Sequence, residues 1–219
     1  MRRAVLFDMD GVISDTEKFY INGMIEKLGE EGISAVPEDF SGLFGSTQDY
    51  IWKQLIERYH LSGTAQEYTD AVHRIRDRMI EEEGLQPMPG VLELIHSLHR
   101  EGVLLAVVSS SPRETIVGNM EHFGVLGCFD AIVSGLECRK GKPEPEIYLK
   151  AAKYLGLHPE ECVVIEDSVN GIRAGKAAGM YCHAYVPPQA CGQDVSLADD
   201  VLESFLGLSV PEVLQGLRK

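Results

Sequence analysis

The chain has 219 residues, of which 44% are hydrophobic and 25% are charged, and its formal net charge is −14 at pH 7. This composition is typical of a folded water-soluble protein with one core domain and room for a smaller insertion. The acidic balance disfavours nucleic acid and anionic membranes as partners, because phosphate-rich surfaces bind clusters of Lys and Arg.

A membrane span is not expected, since no apolar run approaches the roughly 20 residues that a bilayer requires. The apolar run behind residues 1–3 ends at Asp8, which is too short for a signal peptide, so a cytoplasmic protein is predicted. The five cysteines contain no Cys-x-x-Cys pair, which disfavours a zinc cluster or a disulfide framework. Cys162 and Cys182 lie in apolar runs and are predicted to be buried.

The first predicted strand is the continuous apolar run 4–7, which is typical of a strand buried on both faces. A helix is predicted over 16–28, with Gly29 as its end. The region 15–84 shows apolar residues at helical spacing and contains no predicted strand. It is therefore expected to form several helices.

Strands and helices alternate from the segment 86–90 to the end of the chain. This alternation predicts right-handed βαβ crossovers and a doubly wound parallel sheet with helices on both faces. Residues 1–14 and 86–219 then form the α/β core domain, and residues 15–85 form an inserted all-helical domain. The predicted strands of the second part are 103–109, 131–134, 162–165 and 181–186.

Carboxylates follow two of the predicted strands, at the sheet edge where open α/β sheets bind ligands. Asp8 and Asp10 follow the first strand, and Asp167 follows the strand 162–165. Carboxylate and carbonyl oxygens together with water form a hard site that suits Mg²⁺. The alternative is purely structural: an Asp-Gly turn after the first strand, with Asp167 capping the next helix.

Serines follow the strand 103–109. Ser111, Pro112 and Glu114 are predicted to form a capping box, and the free N–H groups of such a helix terminus bind phosphate well. Capping accounts for Ser111 but leaves Ser109 unexplained.

Lys142 stands between Gly141 and Pro143, so it is predicted to lie in a stiff loop. It can supply the local positive charge that a phosphate needs in an acidic protein. Taken alone, it is more often a solvated surface lysine.

These motifs together resemble the haloacid dehalogenase superfamily, in the branch with a helical cap after the first strand. The nearest relatives by this resemblance are sugar-phosphate phosphatases and β-phosphoglucomutases, and it covers essentially the whole chain. It implies a Rossmann-like core and a cap over 15–85. The matching motifs are Asp8-Met9-Asp10-Gly11-Val12, Ser109, Lys142 in Gly-Lys-Pro-Glu-Pro, and Glu166-Asp167-Ser168 followed by Asn170-Gly171.

The resemblance also implies roles. Asp8 is the nucleophile that becomes an aspartyl-phosphate, and Asp10 is the general acid/base. Mg²⁺ is the implied cofactor, held by Asp8, by the backbone carbonyl of Asp10 and by Asp167, with Glu166 supporting this set from behind. The transferring phosphate is held by Ser109, the Ser110 N–H and Lys142.

The helical insertion is implied to be a mobile cap with its hinge at Thr16. In β-phosphoglucomutases a cap-loop arginine grips the second phosphate, and in the matching stretch 44–49 that position is Gln48. A neutral amide holds a dianion less strongly than arginine does. Arginines at 74, 76 and 78 could substitute, but they are expected to be surface charges.

The sequence therefore predicts a Mg²⁺-dependent phosphatase of small phosphorylated metabolites, sugar phosphates above all. A β-phosphoglucomutase that interconverts glucose 1-phosphate and glucose 6-phosphate is the alternative, because it would share the same core residues. A non-enzymatic binding protein is disfavoured by the intact motifs, and a dehalogenase would leave the Mg²⁺-carboxylate set without a purpose. Family members of this size are often monomers, so a monomer is expected.

Overall fold

A computed structural model describes residues 3–40, 43, 48–188 and 194–217. The chain divides into two compact units, which we call the core unit and the helical unit. The core unit comprises Met1–Asp15, Gln86–Gln189 and Asp194–Lys219, and the helical unit comprises Thr16–Leu85 and Ala190–Gln193.

Among the described residues, the core unit contains a single sheet whose strands are all parallel. Its order is β3-β2-β1-β4-β5-β6, so the chain first adds strands on one side of β1 and then continues on the other. This is the doubly wound order of Rossmann-like folds, and the predicted fold class is confirmed. The strands are β1 (Ala4–Phe7), β2 (Leu104–Ser109), β3 (Ala131–Ser134), β4 (Cys162–Glu166), β5 (Tyr181–Tyr185) and β6 (Asp200–Leu202).

Helices fill both units. The helical unit contains α1 (Glu17–Glu30), α2 (Gln48–Tyr59) and α3 (Ala65–Glu83), with a short 3₁₀ turn at Pro37–Phe40. The core unit contains α4 (Val91–Arg100), α5 (Arg113–His122), α6 (Glu146–Leu155), α7 (Val169–Ala177) and α8 (Val210–Val213). In the described part of the chain, no helix is both long and apolar enough to cross a membrane.

Both faces of the sheet are buried, because successive side chains of a strand point to opposite faces. In β1, Val5 and Phe7 pack into the cluster under α4, α5 and α8. Ala4 and Leu6 pack into the cluster under α6 and α7. All four are fully buried, which explains why the sequence of β1 is a continuous apolar run. Cys162 and Cys182 are buried in the second cluster, as predicted.

The predicted strand bounds agree with the structure to within one residue at each end, and two short elements, β6 and α8, were not predicted. The predicted end of α1 at Gly29 is wrong, since the helix continues to Glu30. The chain reverses at Gly32, whose φ of 79° lies in the left-handed region. A glycine inside a helix costs only about 1 kcal/mol, whereas the reversal requires the conformation that Gly32 adopts.

The helical unit has its own hydrophobic core. Trp52 of α2 is fully buried and stacks on Tyr68 of α3, with ring centroids 4.8 Å apart. Thr64 begins α3 with a capping box, in which its hydroxyl accepts from the Glu67 N–H and Glu67 accepts from the Thr64 N–H. Aromatic stacking and a satisfied helix terminus together stabilise a unit that has no sheet in its described residues.

Two glycines at interior helix positions provide a test of how closely α7 packs on the sheet. A methyl group at Gly175 would lie 2.6 Å from Cys182 Sγ and 3.3 Å from a methyl carbon of Val164, whereas one at Gly118 of α5 would meet no atom within 4 Å. We expect Gly175→Ala to destabilise the protein by about 1–3 kcal/mol through overpacking. Gly118→Ala should stabilise it by up to about 1 kcal/mol through helix propensity. Urea unfolding of both variants measures the difference, and equal shifts of the same sign would contradict this packing.

Candidate active site

The candidate site lies at the switch point of the sheet, between the carboxyl ends of β1 and β4. Phe7 of β1 is aligned with Ile165 of β4, and the Asp8 N–H donates to the Ile165 carbonyl at 3.0 Å. Asp8, the residue directly after β1, is therefore aligned with Glu166, the last residue of β4. Parallel pairing thus brings together two acidic motifs that lie far apart in the sequence.

Lys142 is buried between these two motifs, with its side chain only 8% exposed. Its Nζ lies 2.5 Å from Asp8 Oδ1 and 2.5 Å from Glu166 Oε1, and it also donates to the Val108 carbonyl at 3.3 Å. The alternative that Lys142 is a solvated surface lysine is therefore wrong. Burial acts to lower the pKa of Lys142, but Asp8 and Glu166 outweigh it and raise the pKa above its ordinary value.

Glu166 anchors this lysine. It is fully buried, and each of its oxygens accepts two hydrogen bonds. Oε1 accepts from Lys142 and from the Tyr148 hydroxyl at 3.0 Å. Oε2 accepts from the N–H and the hydroxyl of Ser168, both at 2.9 Å. Because its oxygens are already engaged by four donors, Glu166 is better suited to hold Lys142 than to leave its place for a ligand.

The sequence did not predict a role for Tyr148. It lies in α6, is fully buried, and its ring centroid is 5.3 Å from the Lys142 ammonium. A buried tyrosine needs a hydrogen-bond partner for its hydroxyl, and this one finds Glu166. The only available signal was a phenol on the otherwise apolar face of the helix that follows the lysine motif.

Asp167 completes an acidic cluster, because Asp8, Glu166 and Asp167 each offer a carboxylate oxygen within 4.8 Å of the others. Gly11, with φ at 80°, lies against Asp167: a Cβ at this position would overlap the carboxylate. The alternative in which Asp167 caps the next helix is wrong, since α7 is capped by Ser168, whose hydroxyl accepts from the Gly171 N–H.

The electrostatics of the cluster favour a cation. Burial, and then repulsion from Glu166 and Asp10, raise the pKa of Asp8 to about 8, although Lys142 acts in the opposite direction. Burial and the neighbouring carboxylates also raise the pKa of Asp167 well above its usual range. One ammonium group is thus shared by two carboxyl groups of the cluster, those of Asp8 and Glu166. An all-oxygen set with excess negative charge fits a hard divalent ion such as Mg²⁺.

Asp10 has a different environment. Its Oδ2 accepts from the Ser111 hydroxyl at 3.1 Å and from the Ser109 hydroxyl at 3.3 Å. The predicted capping role of Ser111 is wrong, because α5 begins at Arg113 after Pro112, with no side-chain cap. The Ser111 hydroxyl bonds Asp10 instead, and Pro112 has an extended ψ of 145° that separates the serine from the helix.

The predicted phosphate-binding residues lie beside these carboxylates. Ser109 is fully buried, and its Oγ also accepts from the Ser111 N–H at 3.0 Å. Ser110 is exposed at the end of β2. The structure thus brings Ser109 and Lys142 next to Asp10 and Asp8 respectively, and their contact with phosphate stays a prediction.

The residues predicted to select the substrate belong to the helical unit. Gln48 is the first residue of α2, and its buried Oε1 has no hydrogen-bond partner among the described residues. The rest of the matching loop, 44–47, lies outside the described residues. Thr16 is the N-cap of α1 but makes no capping hydrogen bond with its side chain, and its role as a hinge stays a prediction.

The arginines of α3 are the other residues that could hold a second phosphate in place of Gln48. Arg74 is exposed, and the exposed Arg78 pairs with Glu26 at 2.6 Å. Arg76 pairs with the adjacent Asp77 at 2.7 Å. Arg74 and Arg78 are therefore surface charges, as expected.

Residues 5–185 match the sequence profile of the haloacid dehalogenase-like hydrolases. The chain belongs to this family. Hexitol phosphatase B of Escherichia coli (strain K12) is 30% identical over 215 residues, which cover 96% of each chain. The predicted family and its hydrolase class are thereby confirmed.

Solved structures of haloacid dehalogenase-like proteins share the fold. A hydrolase of the family from Deinococcus radiodurans R1, solved with bound phosphate and sodium, has a TM-score of 0.80 and 28% identity, covering 98% of this chain and 96% of that one. A putative β-phosphoglucomutase from Thermotoga maritima has a TM-score of 0.75 and 28% identity, covering 94% and 95%.

Some relatives are much longer than this haloacid dehalogenase-like chain. The match spans 17% of SUPPRESSOR OF QUENCHING 1 and 54% of the bifunctional riboflavin kinase/FMN phosphatase, both from Arabidopsis thaliana. The family therefore also occurs as one part of larger proteins.

The buried position of Lys142 predicts a large effect on stability. Lys142→Met would leave Asp8 and Glu166 buried without their shared cation, and we expect a loss of about 3–5 kcal/mol. Lys140, in the same segment, is 71% exposed and lies 3.8 Å from Glu144. Lys140→Met is the matched control and should change the free energy of unfolding by less than about 0.5 kcal/mol. Denaturant unfolding compares the two variants, and similar stabilities would show that Lys142 is not the charge that holds the site together.

Proposed function

We propose that this protein is a Mg²⁺-dependent phosphatase of small phosphorylated metabolites, sugar phosphates above all. The observation that carries the proposal is the placement of Asp8 at the switch point, with Lys142 on one side and Asp10 two residues away. The full-length match to a hexitol phosphatase supports the reaction class.

Asp8 is the proposed nucleophile. One of its oxygens attacks phosphorus while the bond from phosphorus to the substrate oxygen breaks, which gives an aspartyl-phosphate. A carboxylate needs no base to activate it. Lys142, which lies 2.5 Å from Asp8 Oδ1, fixes the orientation of the carboxylate and offsets negative charge that the phosphate brings.

Asp10 is the proposed general acid and base. It gives a proton to the departing oxygen of the substrate in the first step. In the second step it takes a proton from the water that attacks the aspartyl-phosphate, which regenerates Asp8 and releases inorganic phosphate. Each turnover therefore returns both carboxyl groups to their starting states.

Mg²⁺ would be held by Asp8, Asp167 and the backbone carbonyl of Asp10. When bound, it supplies positive charge that reduces repulsion between the nucleophile and the phosphate. Glu166 would support these metal-binding residues without binding the metal itself, because it already holds Lys142. Ser109, the Ser110 N–H and Lys142 are the proposed partners of the phosphate oxygens.

The helical unit is the proposed cap, with boundaries near 15 and 85 and a hinge at Thr16. Gln48 is the proposed selector of the substrate's remote part. Its buried Oε1, an acceptor, has no partner in the part of the chain that the structure describes. It thus suits a hydroxyl group better than a second phosphate, which favours hydrolysis of monophosphates over a mutase that must grip bisphosphates.

A substrate panel tests the reaction. With Mg²⁺ and sugar monophosphates, the wild-type protein should release inorganic phosphate. Asp8→Asn should lower kcat by at least about 1,000-fold, since it removes the attacking group. Phosphate release with a molybdate dye is the measurement, and Asp130→Asn serves as a control because its carboxylate bonds the Leu105 N–H, outside the proposed site.

Three outcomes of this panel would count against the proposal. One is intact wild-type protein that releases phosphate from no substrate. A second is Asp8→Asn with full activity, which would point to a binding protein with contaminating phosphatase. The third is conversion of β-glucose 1-phosphate to glucose 6-phosphate with a bisphosphate primer and little free phosphate, which would identify the mutase alternative.

Mg²⁺ binding should depend on pH. The folded, metal-free protein keeps a proton on Asp8 up to a pKa of about 8, whereas the ordinary value is 3.8. Its stability therefore falls as the pH rises between these values, because the unfolded chain releases that proton. Mg²⁺ replaces the proton, so added Mg²⁺ should raise Tm more at pH 8 than at pH 6.

Thermal unfolding with EDTA or with excess Mg²⁺ measures this effect. A Mg²⁺ concentration about 100-fold above Kd should stabilise by about 2.7 kcal/mol. Asp167→Asn should reduce the shift at both pH values. The same Mg²⁺ shift at pH 6 and pH 8, unchanged in Asp167→Asn, would rule out these carboxylates as the metal site.

A further inference from the structure

Ser111 and Ser109 converge on one atom of the core site. Their hydroxyls donate to the same oxygen of Asp10, Oδ2, at 3.1 and 3.3 Å. They are also joined to each other, since the Ser111 N–H donates to Ser109 Oγ at 3.0 Å. The arrangement grips one oxygen of the carboxylate and leaves the second, Oδ1, outside this pair of hydrogen bonds.

A third serine fixes this loop from the neighbouring strand. Ser134, the last residue of β3, is aligned with Ser109 of β2 and is 1% exposed. Its hydroxyl donates to the Ser111 carbonyl at 2.7 Å, and its Oγ accepts from the Leu136 N–H at 3.2 Å. A buried hydroxyl with both functions satisfied is a rigid link. The position of the Ser111 side chain is thus set by the sheet and not by helix α5.

Neither helix capping nor a single hydrogen bond from Ser109 accounts for this arrangement of the two serines. Ser111 does not cap α5, because the helix starts two residues later without a side-chain cap. Ser109 alone would leave the carboxylate of Asp10 free to rotate about a single hydrogen bond. Two donors from different backbone positions restrict that rotation, which is the usual way in which supporting side chains orient a reactive group.

We propose that Ser111 is a positioning residue for Asp10. It holds Oδ2, so that the proton to be transferred is carried on Oδ1. This inference rests on the proposed function, in which Asp10 protonates the leaving oxygen. In the first step, the proton leaves Oδ1 for the substrate oxygen as the oxygen–phosphorus bond breaks and the Asp8–phosphorus bond forms. In the second step, the same oxygen takes a proton from the attacking water.

The leaving group of the substrate separates positioning from a general structural role. A sugar alkoxide needs a proton in order to leave, whereas 4-nitrophenolate leaves without one. Loss of a correctly placed acid should therefore slow the sugar phosphate and spare 4-nitrophenyl phosphate. Damage to the fold or to phosphate binding would slow both substrates equally.

The experiment measures kcat/KM for the best sugar phosphate of the panel and for 4-nitrophenyl phosphate. We expect Ser111→Ala to lower the value for the sugar phosphate by about 10-fold, a part of the roughly 100- to 10,000-fold that a general acid supplies. The value for 4-nitrophenyl phosphate should fall by less than about 3-fold. Ser111→Thr keeps the hydroxyl. It should therefore bring the ratio of the two kcat/KM values, sugar phosphate to 4-nitrophenyl phosphate, most of the way back to that of the wild-type protein.

Ser97→Ala is the matched control. Ser97 is a half-buried serine of α4 whose hydroxyl donates to the Glu93 carbonyl at 2.8 Å, outside the proposed site. It should leave the ratio unchanged. Thermal unfolding of each variant confirms that the proteins compared are folded.

Each remaining outcome decides a different point. If the wild-type protein hydrolyses both substrates and Ser111→Ala lowers both equally, or neither, the positioning role is overturned and the proposed function stands. If Ser111→Thr fails to recover the ratio although it folds, the hydroxyl is not the group that acts. If the wild-type protein hydrolyses neither substrate, the proposed function is wrong and the role of Ser111 falls with it.

Discussion

The buried ammonium group of Lys142 is the interaction on which the rest of the core site depends. Several carboxyl groups cluster at the switch point, and burying such charges without a partner is costly. Lys142 bridges Asp8 and Glu166 at 2.5 Å each, while Tyr148 and Ser168 complete the hydrogen bonds of Glu166. This bridge places a positive charge among the carboxyl groups of a chain whose net charge is −14.

The two aspartates of the first motif differ because their surroundings differ. Asp8 faces an ammonium group, which orients it and offsets its charge. Asp10 faces hydroxyl groups, which orient it without neutralising it. Two carboxylates in different environments can take different roles in one reaction. The assignment of Asp8 as nucleophile and Asp10 as acid/base is consistent with this division.

The sheet topology makes these contacts possible. β1 lies between β2 and β4, so the loops after three consecutive strands of the sheet meet at one edge. Each loop contributes a separate part: carboxylates after β1, serines after β2, and a second acidic motif after β4. β3 adds Ser134, whose hydroxyl donates to the Ser111 carbonyl and so fixes the loop after β2. Under the proposed function, the substrate is selected by a different region, the helical unit, whose core has no sheet among the described residues.

The sequence by itself determined the fold class, the first five strands of the core to within one residue, and the motifs at their ends. These properties are local, since a buried parallel strand is a short apolar run and its motif follows directly. Tertiary structure alone decided which donor serves which carboxylate. Lys142 and Asp8 are 134 residues apart, and Ser111 and Asp10 are 101 apart. No local pattern encodes such pairs, because only the strand order brings these side chains together.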